Sequence, residues 1–370
     1  MGLAANLSFC GGWSTQDDER EGMDMIMIKR RNFLQGVGLA IGAVGVASPA
    51  ITRRAFAQAS MTPVNGVYSA PGLSFAGIDL AEQLGLWAKH KLTAAVKRVQ
   101  GGPLAMVALT NNEAQFAGVA STDPIIGWGK GIKTLTVSAF TGSLDMQFAA
   151  RKDWLARVGL TPKSKIEDKI KALKDARIGS STIGGGPTQY TRYLATTVGL
   201  EPDRDLKIVA VGFGATRMAA LRTNQVDVTV GSAPEADQVE IEGFGALYID
   251  CAHEVPLFKE FPYTVAVVTP KLAEENPDLV RRVAQTLGEA NDMFHTKFGE
   301  TVDVLKKKFP KIPPLAIERA LERARDGYPK GGRMTTRMWE NNIKVALALK
   351  MISVAVPAKE GELWTNKFLG

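Results

Sequence analysis

Met106-Val107-Ala108-Leu109-Thr110-Asn111-Asn112-Glu113 and Met218-Ala219-Ala220-Leu221-Arg222-Thr223-Asn224-Gln225 stand at a constant offset of 112 residues, and at the same offset Gly102 falls on Gly214 and Ala120 on Ser232. Both copies spell a glycine turn, a helix, a polar turn carrying asparagine, a short strand and a small residue. Chance likeness is the alternative reading, because any helix with an asparagine in its last turn resembles another. If the echo is a repeat, the chain builds two lobes on one plan, and two sheets can face each other across a cleft formed by the loops at their strand ends.

Outward from the echo, β-type runs alternate with helical ones, the pattern of a mostly parallel α/β sheet. The first group has strands over 67–70, 92–99, 115–120 and 134–139, with helices over 74–87 and 103–110. A charged stretch, 151–174, separates it from a second group. There a strand over 177–180 delivers Ser181-Thr182-Ile183-Gly184-Gly185-Gly186-Pro187-Thr188 to a helix reaching 198, and further strands run over 207–211 and 226–230. From 247 the chain is expected to cross back through a strand over 263–269, followed by helices over 270–294, 300–309, 314–328 and 336–352.

The N-terminus reads as an export address. Lys29-Arg30-Arg31-Asn32-Phe33-Leu34 precedes an apolar run rich in glycine and alanine, and Ala55-Phe56-Ala57 offers a cleavage site, the layout of a twin-arginine signal peptide. A membrane anchor is the alternative, although five residues of the run are Gly36, Gly38, Gly42, Gly45 and Pro49. Nothing before Met23 shows such a pattern, so Met23, Met25 and Met27 are alternative starts.

Removing 1–57 takes six of the 45 basic and five of the 38 acidic residues and leaves a net charge of +6, spread along the chain apart from Lys306-Lys307-Lys308. That balance gives no nucleic-acid footprint. Of the two cysteines only Cys251 remains, which leaves no internal disulfide for an oxidising compartment. His90, His253 and His295 have no ligand-spaced partners, so no metal or other cofactor is expected. Neither a phosphate-cradling glycine motif nor a Gly-x-Ser-x-Gly elbow is completed, and Cys251 beside His253 is adjacency in sequence rather than a dyad.

Strand-end loops repeat one chemistry. Ser74, Gly102, Ser121, Thr122, Thr141, Thr182, Gly185, Gly186, Thr188, Gly214 and Thr216 each sit at or near a helix start. Helix N-termini present free N–H donors and partial positive charge, glycine lets a ligand reach the backbone, and Ser or Thr adds a hydroxyl. Singly, each such position also reads as a helix cap or turn residue. Glu235, beside Pro234, and Asp145 are the acids best placed to meet a ligand amine or hydroxyl, and each also reads as a solvated loop or hinge residue. Trp87 and Trp339 read as packing residues.

Several of these stretches together resemble the substrate-binding proteins of bacterial ABC importers, in the group for sulfonates, taurine, nitrate and thiamine-pyrimidine precursors. The residues that carry the likeness are Glu82-Gln83-Leu84-Gly85-Leu86-Trp87, Gly101-Gly102, Ala108-Leu109 with Asn112 and Phe116-Ala117, the run 215–221 with Asn224-Gln225-Val226-Asp227, Ser232-Ala233-Pro234-Glu235, and Pro277-Asp278-Leu279-Val280. The resemblance covers about 68–369. Asn112 and Asn224 stand where the family usually has glycine, and asparagine tolerates the left-handed backbone.

The resemblance implies an α/β, two-lobed type II periplasmic-binding-protein fold: two mostly parallel sheets flanked by helices, with the ligand cleft between the lobes. Lobe 1 would comprise 58–146 and 246–370, and lobe 2 would comprise 147–245. Carried over residue by residue, the family's ligand loops fall on Ser74, Gly102, Ser121, Thr122, Thr141, Thr182, Gly185, Gly186, Thr188, Gly214, Thr216, Pro234 and Glu235. The implied function is a non-catalytic, monomeric periplasmic receptor. It would bind a small anion, of sulfonate, nitrate or carboxylate type, and deliver it to an ABC permease in the inner membrane. An exported enzyme on the same fold and a ligand-sensing subunit of a membrane signalling system are the alternatives.

Overall fold

The computed structural model describes residues 61–370, and the export signal and alternative starts lie outside those residues. Ten strands are laid down in order: β1 (Thr62–Tyr68), β2 (Leu92–Arg98), β3 (Phe116–Ala120), β4 (Leu135–Ala139), β5 (Met146–Arg151), β6 (Arg177–Ser180), β7 (Lys207–Ala210), β8 (Val228–Ser232), β9 (Gly245–Asp250) and β10 (Thr264–Val268). They form two five-stranded sheets, ordered β2-β1-β3-β10-β4 and β7-β6-β8-β5-β9. In the first, β1 runs parallel to β2 and β3, while β10 runs antiparallel to β3 and β4. In the second, β6 runs parallel to β7 and β8, while β5 runs antiparallel to β8 and β9.

The two sheets therefore share one order, with a single reversed strand inserted fourth. The echo falls on matching elements: the helices Gly102–Thr110 and Ala215–Arg222 each precede a strand, and those strands, β3 and β8, begin and end at the 112-residue offset. The two-lobed, mostly parallel architecture expected from the sequence is the one observed.

Four local readings differ, each for a physical reason. β9 pairs with β5 in the second sheet, although 247–250 was expected to be crossing back already. β5 itself was not expected, because its buried run Met-Gln-Phe-Ala-Ala-Arg abuts the charged stretch that starts at Arg151. The helix expected over 270–294 breaks into Pro270–Glu275 and Pro277–Thr296: proline cannot continue a helix, and Asn276 caps the second one by accepting from the Leu279 N–H at 3.2 Å. Likewise Gly85, with φ 65°, separates Ala76–Gln83 from Leu86–Lys89.

Alternate residues of each strand feed opposite faces. In β10, Ala266 and Val268 join Phe116, Val137, Val283 and Leu287, whereas Val265 and Val267 join Val119, Ala139, Trp339 and Ile343. The second sheet packs Phe148, Val228 and Val230 against Trp154, Tyr190 and Tyr248. Full burial of a side chain of this size contributes about 1.5–3 kcal/mol, so each lobe has a core of its own. Val345, on the helix Thr336–Ala348, packs into the second-lobe core while Trp339 of the same helix packs into the first. No helix among the described residues is long and apolar enough to cross a membrane.

Candidate ligand-binding site

The chain passes between sheets twice, after β4 and after β9, and the strand-end loops of both sheets meet around a cavity of about 470 Å3. The first lobe lines it with Gly101, Gly102, Asp123, Phe75 and Tyr263 among others, and the second with Thr182, Gly184, Gly185, Gly186, Gly214, Arg217, Pro234 and Glu235. Phe213, Phe309 and Ile312 add apolar wall, so the cavity is an apolar slot with a few polar groups placed in it.

Three helices open onto this slot: Gly102–Thr110, Gly186–Thr197 and Ala215–Arg222. None has a side-chain cap from the residue that precedes it. Their first-turn N–H groups and positive dipole ends thus face the cavity. Gly186 keeps the approach between lobes close, since a Cβ there would lie 3.3 Å from the Tyr190 ring, tighter than ordinary contact, and 3.6 Å from Ala120 of the other lobe.

Of the residues singled out from the sequence, Gly102, Thr182, Gly185, Gly186, Gly214, Pro234 and Glu235 line the cavity together. Ser74, Ser121, Thr122, Thr141, Thr188 and Thr216 do not. Ser74 is buried and donates to Asp145 at 3.2 Å, Thr141 shares a 3.0 Å bond with Thr264, and the Ser121 hydroxyl accepts from Asn342. Thr122 is buried at the start of the helix Thr122–Gly129. Thr188 donates to the Thr182 carbonyl at 2.7 Å, bracing the glycine loop from behind, and Thr216 is exposed on the outside of its helix turn. A hydroxyl at a helix start is as useful for bracing a loop as for holding a ligand, and the sequence does not distinguish the two.

Two charged groups on the cavity wall, Arg217 and Asp123, were not singled out. Arg217, buried one turn into its helix, forms a two-pronged pair with Glu235, Nε to Oε2 at 2.7 Å and NH2 to Oε1 at 2.6 Å; Glu235 Oε1 also accepts from the Gly214 N–H at 3.1 Å. Asp123 lies one residue beyond Thr122. Burial against the cleft wall pushes its carboxyl up to about 7, opposed by a backbone hydrogen bond at Ala120. The available signal for both was the loop Ser121-Thr122-Asp123-Pro124 and the helix containing Arg217 that follows Gly214.

A second cavity, of about 270 Å3, lies by the crossing segments and holds Thr141, Asp145, Asp250, His253 and Arg323. Arg323 pairs with Asp237 and, at 3.1 Å, with Asp250. Burial pushes Asp145 up to about 7, aided by the nearby Asp250 charge and opposed by the hydrogen bond from Ser74. Asp145 therefore lies in this cavity rather than in the interlobe slot. Cys251 is buried with its thiol pushed up by desolvation, and His253 Nδ1 pairs with Asp250 at 3.0 Å instead. No group of three or more His, Cys, Asp or Glu able to hold a metal ion occurs among the described residues. Trp87 packs on Phe116 with ring centroids 5.7 Å apart, and Trp339 stacks on Trp364 at 6.4 Å.

A family model described as the NMT1-like family matches residues 74–304. No curated protein matches the chain. Among solved structures, a protein of Bordetella bronchiseptica RB50 superposes with a TM-score of 0.67 at 18% identity, covering 83% of this chain and 95% of that one. The alkanesulfonate-binding protein SsuA from Xanthomonas axonopodis pv. citri, bound to MOPS, gives 0.62 at 16% identity, covering 80% of this chain and 95% of that one. The periplasmic nitrate-binding protein NrtA from Synechocystis PCC 6803 gives 0.58 at 16% identity, covering 70% of each chain. The shared fold is the two-lobed type II periplasmic-binding fold.

Proposed function

The chain belongs to the NMT1-like family, and from that premise we propose that it is the periplasmic substrate-binding component of an ABC importer. It captures a small anionic solute, of sulfonate, nitrate or carboxylate type, between its lobes and delivers it to a membrane permease. The observation that carries this reading is the meeting of three helix N-termini, at Gly102, Gly186 and Gly214, from both lobes around one 470 Å3 slot. A solute in that slot touches both lobes at once, so its binding energy favours a closed arrangement about the two crossing segments. That two proteins of this fold are an alkanesulfonate-binding protein and a nitrate-binding protein supports this reading. The twin-arginine signal read at 1–57 fits the same location.

Isothermal titration against sulfonates, nitrate, carboxylates and pyrimidines is the test. Saturable one-to-one binding without conversion of the solute is expected. Absence of binding throughout, together with turnover of any member, would make the protein an exported enzyme instead.

A further inference from the structure

Two helices that start at the slot wall meet each other outside it. The helix Glu235–Ile241 begins at Glu235 on that wall and buries Ala236 and Val239 in the second lobe. The helix Pro314–Ala324 follows Ile312, also on the wall, and buries Ile317, Ala320 and Leu321 in the first-lobe core. They pack on each other across the lobe boundary, where Arg323, in the last turn of Pro314–Ala324, pairs with Asp237 in the first turn of Glu235–Ile241. Arg323 Nε also lies 3.1 Å from Asp250 Oδ2, at the end of β9. One guanidinium of lobe 1 thus ends on two carboxylates of lobe 2. Among the described residues these are the only ion pairs that join the lobes; the others stay within one lobe or tie a lobe to a crossing segment.

Asp237 depends on this contact. Its side chain is wholly buried, one oxygen takes Arg323, and the other has no hydrogen-bond partner among the described residues. Burial raises its carboxyl, and the hydrogen bond from Arg323 is the first influence that lowers it. Without the arginine, a closed arrangement would bury a bare carboxylate, whereas an open one would hydrate it. Loss of Arg323 therefore shifts the lobes towards opening. The arginine acts at a distance from any solute, since it lines the second cavity and not the slot.

We propose that Arg323 is an interlobe latch: its pairs with Asp237 and Asp250, outside the slot, hold the lobes together and so set how long the protein retains a solute. The retention rests on the slot being the binding site; the hold on the lobes does not. Closing energy of this kind adds to every solute alike, so the latch slows release without choosing between solutes.

Two readouts test it. Small-angle X-ray scattering of the dialysed protein needs no ligand: Arg323→Gln should raise the radius of gyration, and adding Asp237→Asn should bring it back towards the wild-type value, because the buried group is then neutral. Ethanesulfonate and nitrate are followed by calorimetry and stopped flow. For each probe that binds the wild-type protein, Arg323→Gln should weaken binding by roughly tenfold or more, through faster dissociation and by the same factor for both, and the double variant should recover most of it. Should Arg323→Gln not fold, Arg323→Lys replaces it; lysine keeps the charge, gives up the simultaneous reach to Asp237 and Asp250, and should give a smaller shift of the same sign. Reversal by the double variant in either readout upholds the latch. A lower melting temperature with both readouts unchanged, or a shift that the double variant does not reverse, overturns it and leaves the binding function standing. If no solute binds the wild-type protein, the proposed function falls and the scattering alone decides the latch.

Discussion

Asn112 and Asn224 hold the same left-handed backbone, φ 61° in each, at the same turn of the two lobes. Asparagine is one of the few non-glycine residues that adopts this conformation at small cost, so both lobes solve the same turn with the same residue. The side chains then diverge. Asn224 Oδ1 accepts from Arg151 and, at 2.6 Å, from Arg177, while the Asn112 side chain makes no hydrogen bond among the described residues and its neighbour Asn111 donates to Glu113 at 3.4 Å instead. Asn112→Ala is expected to cost about 1 kcal/mol from backbone strain alone. Asn224→Ala is expected to cost about 1–2 kcal/mol more, because two arginines lose an acceptor. Chemical denaturation of both variants reads the difference, and equal costs would sink the account.

Arg217→Ala leaves the Glu235 carboxylate in the slot without its cation. Removing one partner of a buried pair costs about 3–5 kcal/mol, and Arg217 is nearly fully buried, so a loss of about 3 kcal/mol is expected. Replacing both partners, as in Arg217→Met with Glu235→Leu, should recover much of that loss. Urea unfolding that shows the single and double variants equally weakened would argue against the pair as drawn.

Asp145 couples the crossing segments to pH. Its folded-state value of about 7 lies above the ordinary 3.8, so folding favours the protonated form. The stability it supports is fully present below about pH 4 and is lost as pH rises through about 7. Asp145→Asn should therefore leave stability at pH 4 nearly unchanged and raise it at pH 8 by on the order of 2 kcal/mol. Thermal melts at the two pH values check the sign, and a variant destabilised more at pH 8 than at pH 4 would contradict it.

Gly186 is where the second lobe approaches Ala120 of the first. Gly186→Val places two further methyl groups in that gap and beside the Tyr190 ring. Solute affinity should fall at least tenfold while the melting temperature changes little, because the site lies at a helix start on the cavity wall. Unchanged affinity, measured by calorimetry, would remove the glycine loop from the site.

What the sequence made legible follows a physical line. The glycine-helix-asparagine-strand units are local, so the offset between Met106 and Met218 exposed both lobes and the order of their elements. The glycine loops at 101–102, 184–186 and 214 were visible because few other roles require them at strand ends. Non-local pairing was less visible: nothing local in Gly245–Asp250 tells that it lies beside β5 rather than in the returning segment. Arg217 sits in the first turn of a helix whose outer face is polar, and Asp123 follows a threonine that looked the better ligand. Their settings depend on what stands opposite, Glu235 in one case and Gly102 in the other.

Native mass spectrometry of the protein isolated from its own cells, alongside the Gly186→Val variant, tests the central claim most directly. One unmodified small molecule bound per chain in the wild-type protein, and none in the variant, is the predicted result. A bare wild-type chain that acquires no adduct from any tested solute, or an adduct retained equally by the variant, would contradict it.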